Sequence, residues 1–200
     1  LFDMKLYKIF RKTPFFLSAS HWMTKGDKPL TSSLKSRNAV IIPFLLIQYG
    51  NMLDKVKAVK HVVPYLKEII VGMRGSAKGI KNNPRTGKTE IAEETLRDLE
   101  SYAYELGVSK IGYTKVNPDF IFKDFKILFD NVILCAMEMK REDMKDNPSP
   151  SATNEIMRTY AGLGTAVNKL AEFLRERGFD CQASPAMGGD IMTVPVAEQA

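Results

Sequence analysis

Ser184 and Asp190 bracket Pro185-Ala-Met-Gly-Gly189, and this is the most site-like segment of the chain. Two adjacent glycines let main chain approach a ligand closely, and the serine hydroxyl and aspartate carboxylate add polar contacts. An ordinary turn would have the same composition, so both readings stay open. Tyr160 lies on the apolar side of a long helical pattern, where a phenol can give a proton to a carbanion or radical intermediate, or serve as a core aromatic. Gly162 and Gly164 fall inside the same pattern. Each costs roughly 1 kcal/mol of helix propensity relative to alanine, which a close packing contact or a ligand contact would explain. Met137, Met139, Met157, Met187 and Met192 could line a pocket for a large planar group, or fill gaps in a core.

Other chemistry-bearing residues carry less. Asn82-Asn-Pro-Arg-Thr-Gly-Lys-Thr89 ends like a phosphate-binding loop, but Asn82 stands where that loop needs glycine and no buried strand precedes it. Glu138, Glu142 and Asp143 follow an apolar run and read as solvated charges unless one enters a desolvated pocket. The two cysteines, Cys135 and Cys181, form no disulfide framework and are too few for a four-iron cluster, which takes about four thiolates. His21 and His61 stand alone, against a histidine-based metal site.

The elements that must position these groups follow from periodicity. Ala92, Leu96, Leu99, Ala103 and Leu106 make one apolar stripe, so a helix is expected over Thr89–Leu106, with Thr89 as N-cap and Gly107 past its end. Strand candidates are Val108–Val116, Asn131–Met139 and Phe179–Ser184. The second is a nearly unbroken apolar run, as in a strand covered on both faces. Phe120–Phe129 reads as a short amphipathic helix. A second long helix is expected over Ala152–Arg177, followed by a Pro185–Asp190 turn and a further element from Thr193. Upstream, helices are expected over Leu45–Val59 and Val63–Met73, with Pro64 in a first turn and Gly72, Gly75 and Gly79 ending the pattern. The alternation of helix and strand predicts a layered α+β domain.

Charge divides the chain. Residues 1–90 hold 17 Lys/Arg against 5 Asp/Glu, and residues 91–200 hold 12 against 18. We therefore expect a basic, mostly helical arm and flexible connector at 1–88 and a pocket domain at 89–200. Such an arm can draw nucleic acid, anionic lipid or an acidic partner, or be a solvated face. No secretory signal is visible, and the apolar run Ala39–Ile47, interrupted by Pro43, is shorter than the ~20 residues of a spanning helix, so no transmembrane segment is expected. It reads as a buried segment. A reducing cytoplasm is the expected compartment. Leu1 and Ala200 read as cuts in a longer chain.

Several of these stretches, in order, carry a resemblance: Tyr104-Glu-Leu-Gly-Val-Ser-Lys-Ile-Gly-Tyr113, Asn131–Met139, Pro148-Ser-Pro-Ser151, Tyr160-Ala-Gly-Leu-Gly164, Leu170–Phe179, Gln182-Ala-Ser-Pro-Ala186 and Val194–Ala200. From about Leu96 onward the chain resembles the epoxyqueuosine reductase and reductive dehalogenase group of four-iron–four-sulfur oxidoreductases. The resemblance implies a nitroreductase-like α+β fold and a cobalamin pocket, with flavin as the alternative. It further implies a small-molecule substrate and electrons from a ferredoxin- or flavodoxin-type donor. Two four-iron–four-sulfur clusters would sit in a ferredoxin-like module beyond Ala200. Within this chain the expected proton donor is Asp190 or Tyr160, with Ser184, Met187, Gly188, Gly189 and Gly164 around the cofactor. One departure is visible. The epoxyqueuosine reductases place a catalytic aspartate where Ala183 stands, which speaks against queuosine chemistry itself. The competing expectation is a non-catalytic module that docks an acidic partner or nucleic acid through its basic arm.

Overall fold

The computed structural model describes residues 19–32, 52–147, 149–185 and 187–200. The aromatic residues of 1–18, the apolar run Ala39–Ile47 and the first part of the helix expected from Leu45 lie outside the described residues, as do Pro148 and Ala186. Helices and two small antiparallel sheets make up the rest, an α+β arrangement.

The helix α1 runs from Met52 to Gly79 without a break, so the expected stop at Gly72 is corrected. Pro64 lies well inside the helix rather than in a first turn, where it supplies no N–H to the ladder. The three glycines do not end the helix; they form its contact face. A Cβ on Gly72 would sit 3.6 Å from the main chain of Gly164, one on Gly75 3.2 Å from Asn168, and one on Gly79 2.9 Å from the Arg175 guanidinium. Their spacing of three and four residues puts them on one side, and their small size lets α1 lie close on a second long helix. The expected flexible connector at 74–88 is likewise corrected. It continues as helix to Gly79, then as a 3-10 turn over Ile80–Asn82.

That second helix, α4, spans Pro150–Glu176, close to the expected range; α2 is Glu93–Glu105 and α3 the single turn Arg141–Met144. Ser149 caps α4 by accepting from Ala152 N–H at 3.1 Å, with Pro150 at the first helical position, where its missing N–H costs nothing. The apolar stripe expected on α4, Ile156, Tyr160, Leu163, Val167, Leu170, Ala171 and Leu174, is corrected: only Leu170 and Ala171 of it are buried. The buried face instead includes Met157 and Ala161, packed on Ile69 of α1, and Ala166, packed with Leu170 on Leu99 and Ala103 of α2. Packing between α1 and α4 thus ties residues on either side of position 88 into one core.

Helix α2 begins four residues later than expected, with Ala92 rather than Thr89 at the N-cap and no side-chain cap. Lys88 is held in an extended bridge beside Phe179, so the chain cannot coil before Ala92. Strands β2 (Lys110–Lys115) and β4 (Asn131–Ala136) pair antiparallel, with Ile111 opposite Cys135 and Tyr113 opposite Ile133. Coverage of β4 is uneven. Val132 and Leu134 join one core cluster and Cys135 another, while Ile133 is 37% exposed.

The helix expected over Phe120–Phe129 is absent. Asn117 caps a 3-10 turn at Pro118–Phe120, Asp124 adopts a positive φ of 70°, and β3 (Lys126–Ile127) pairs antiparallel with β1 (Leu30–Thr31). Ile121, Phe125 and Ile127 reach a common core with Ile191 and Val196 without that helix. The strand expected over Phe179–Ser184 is also corrected to irregular chain bearing one bridge, Lys88 to Phe179. Side chains, not a neighbouring strand, satisfy its backbone: Cys181 N–H donates to Asn83 Oδ1 at 3.1 Å and Cys181 O accepts from Arg175 Nη2 at 3.1 Å. The last element is the helix α5, Thr193–Gln199.

Candidate functional site

The 182–192 segment is built around Gln182. Its amide oxygen accepts from Leu128 N–H at 3.0 Å, and its Nε2 donates to Lys126 O at 3.0 Å and to Asp190 Oδ2 at 2.8 Å. One side chain therefore fixes the β3 strand and orients the Asp190 carboxylate. Asp190 is only 4% exposed. Its N–H donates to Ser184 Oγ at 3.1 Å, and its carbonyl accepts from Phe122 N–H at 3.1 Å. An ionisable group so far from water is costly unless hydrogen-bonded, and the Gln182 amide donates to its carboxylate. What results is an acid with fixed position and orientation on a loop fastened at both flanks.

The remaining expected site residues fall into two groups. Ser184, Gly189 and Asp190 belong to this loop. Tyr160 and Met187 pack instead on the cluster of Ile69, Met157 and Ala161 between α1 and α4. Gly164 lies at the crossing of those two helices, where Asn168 Nδ2 donates to both Gly72 O at 3.0 Å and Gly164 O at 2.7 Å. Gly188 joins the groups: it has φ +92°, and α1 reaches it through Met73.

Packing accounts for Gly162, Gly188 and Gly189. A Cβ on Gly162 would lie 2.9 Å from Met137 Sδ, on Gly188 2.6 Å from Met73 Cε, and on Gly189 2.5 Å from Pro185 O. The glycines are needed because protein atoms fill those places. The turn thus presents no open face at Gly188 or Gly189 for a planar ring, and the residues as arranged do not fit a corrinoid or flavin seated on them.

Two clefts lie elsewhere. One, of about 410 Å³, runs between α2 and α4 and is floored by Tyr102 stacked on Phe173, with Asp98, Glu105 and Glu172 at its rim. The other, of about 440 Å³, lies among Lys28, Asn83, Arg85, Leu128 and Asp180. Arg85 there holds a positive φ of 56°, donates its N–H to Asp180 Oδ1 at 2.7 Å and faces Asp27 at 3.6 Å. That ring of contacts fastens the 24–31 segment to the chain after α4. No expected site residue lines either cleft.

No family model, curated protein or solved structure matches the chain.

Sequence reasoning passed over the most strongly held charge. Glu155 of α4 is 1% exposed and takes a bidentate grip from Arg158, Nε to Oε2 at 2.7 Å and Nη2 to Oε1 at 2.6 Å, plus Lys140 N–H at 2.7 Å. Arg158 holds the Glu155 carboxyl well below the usual range, at about 2. The pair docks the chain after β4 on α4. Its only sequence signal was an acid and an arginine three residues apart, which is common on solvated helices.

Glu138 is exposed, and Glu142 and Asp143 are engaged with Lys145 and Ser151 at the surface. Burial pushes the thiols of Cys135 and Cys181 up to about 11, so neither is a ready nucleophile or ligand at neutral pH. Among the described residues no cluster of His, Cys, Asp and Glu could hold a metal ion, and no helix is long and apolar enough to cross a membrane.

Proposed function

We propose that this chain belongs to a reductive oxidoreductase of the epoxyqueuosine reductase and reductive dehalogenase kind, in a nitroreductase-like setting, with Asp190 as its proton-delivering acid. The observation that carries the reading is the buried Asp190 carboxylate, oriented by the neutral Gln182 amide on the loop that follows α4. Reduction of an organic substrate by two electrons consumes protons, and a fixed acid shielded from bulk water is the group that reaction needs from the protein. Asp190 stands seven residues after Ala183 in the same loop, a second carboxylate position beside the one the group uses. The ordered series of motifs from Tyr104 to Ala200 supports the family reading. Electrons would come from a ferredoxin- or flavodoxin-type donor. Any four-iron–four-sulfur cluster would draw its thiolates from outside these residues, since two raised-pKa cysteines cannot supply them. No step is assigned to cobalamin or flavin, because the 184–190 turn as arranged is filled by Met73 and Pro185.

Substrate-dependent oxidation of reduced methyl viologen, with a halogenated phenol as probe and the full-length protein as catalyst, tests the reading. Turnover that falls about a hundredfold or more in an Asp190→Asn variant of unchanged stability supports it. Absence of turnover, or an unchanged rate in the variant, overturns it.

A further inference from the structure

We infer that the outward face of α1 is a docking surface for an anionic membrane. Helix α1 is about 42 Å long at 1.5 Å per residue. Its inner side, from Val62 and Tyr65 through Ile69, Met73 and Ala77, is covered by α4 and the chain around it. Its outer side carries large aliphatic groups that no described residue covers: Val63 is 58% exposed, Leu66 44%, Ile70 40% and Val71 59%. These four are half of the large exposed hydrophobics among the described residues, and all fall within nine positions of one helix. Single exposed apolar residues are ordinary, but a contiguous apolar patch of this kind marks a contact surface.

The charge on the same face selects the occupant. Lys60, Lys67, Arg74 and Lys78 are exposed, at helical spacings that interleave them with Val63 and Ile70. The one acid on the described part of α1 beyond Asp54 is Glu68. An interfacial helix binds by the sum of aliphatic insertion and attraction of lysines to anionic headgroups. Long lysine stems let the ammonium reach the headgroups while the neighbouring Val, Leu and Ile enter the acyl boundary. A protein partner fits less well, because protein interfaces are depleted in Lys and favour aromatic anchors, and among the described residues this face has no exposed aromatic ring. A nucleic acid would use the lysines and leave the four aliphatic side chains without a role.

Trp22, the only tryptophan, gives a reporter. Its ring lies under Lys81 at 4.0 Å and near Lys78 at 5.9 Å, at the end of this face. The experiment is co-sedimentation with phosphatidylcholine vesicles with and without phosphatidylserine, read alongside Trp22 fluorescence. Wild-type protein should bind only the phosphatidylserine vesicles, with affinity lowered but not abolished by salt. The Val63→Ser/Leu66→Ser/Ile70→Ser variant and the Lys60→Gln/Lys67→Gln variant should each bind about tenfold or more weakly. All five positions are exposed, so circular dichroism should show both variants folded. Absence of binding to phosphatidylserine vesicles at low salt, or unchanged binding by the serine variant, overturns the inference. Binding to duplex DNA that the serine variant retains and the glutamine variant loses would overturn it too, and would give the face to nucleic acid.

Discussion

Met73 of α1 stands against the α-carbon of Gly188, so close that a Cβ there would lie 2.6 Å from Cε and 2.7 Å from Cγ. This contact joins the N-terminal helix to the loop bearing Asp190. It also makes Gly188 irreplaceable on two counts, because its φ of +92° is a conformation that side-chain-bearing residues rarely adopt.

Gly188→Ala should therefore lose about 2–4 kcal/mol, from overpacking against Met73 and from backbone strain together. Met73→Ala in the same chain should recover only the packing part. The two free energies, measured by urea unfolding, should be non-additive, because the residues touch. Additive losses would mean that α1 does not rest on this loop.

The Glu155–Arg158 pair makes a pH prediction. The folded carboxyl sits at about 2, below its ordinary value of about 4.5. Its contribution is thus fully present above the unfolded value and fades as pH falls from there toward 2. Glu155→Gln should cost about 1–3 kcal/mol near neutral pH, at the modest end for a buried pair because Arg158 is 35% exposed. The difference between wild type and variant should shrink steadily below pH 4.5 in parallel denaturation curves.

What the sequence disclosed was period, and what it concealed was partnership. The extent of α4 was legible from its helical period, though not which residues it buries, and β4 was legible from its unbroken apolar run. Gly72, Gly75 and Gly79 were misread because glycine at three- and four-residue spacing looks the same whether it breaks a helix or lets another helix pass. Ile121 and Phe125 have helical spacing by coincidence, since a turn held by Asn117 and Asp124 delivers them to the core. The Asp190 loop was singled out from its composition. The role of Gln182 in orienting the acid was not, because an amide shows no preference in sequence for the partner it clamps.

The thiols give a third test. With both raised from an ordinary value of about 9 to about 11, the thiolate fraction near pH 8 falls by about a hundredfold, and labelling slows with it. A disulfide reagent should modify Cys135 and Cys181 slowly in the folded protein and both rapidly in denaturant. Rapid modification of either under native conditions would contradict the burial described here.

Gln182 and Asp190 supply the last. Gln182→Met removes an acceptor for Leu128 N–H and a donor shared by Lys126 O and the Asp190 carboxylate, at similar side-chain length. Two half-buried hydrogen bonds and one exposed one are lost at once, and the loss should be about 2–3 kcal/mol. Asp190→Asn is the contrasting change. Its amide oxygen can still accept from Gln182 Nε2, and its main-chain N–H still donates to Ser184 Oγ, so the cost should be under about 1 kcal/mol. The two variants separate scaffold from chemistry: thermal unfolding should respond to Gln182→Met and barely to Asp190→Asn. If Asp190→Asn instead unfolds the loop as severely as Gln182→Met, the aspartate is there to hold the fold, and the acid of the reaction must be sought elsewhere.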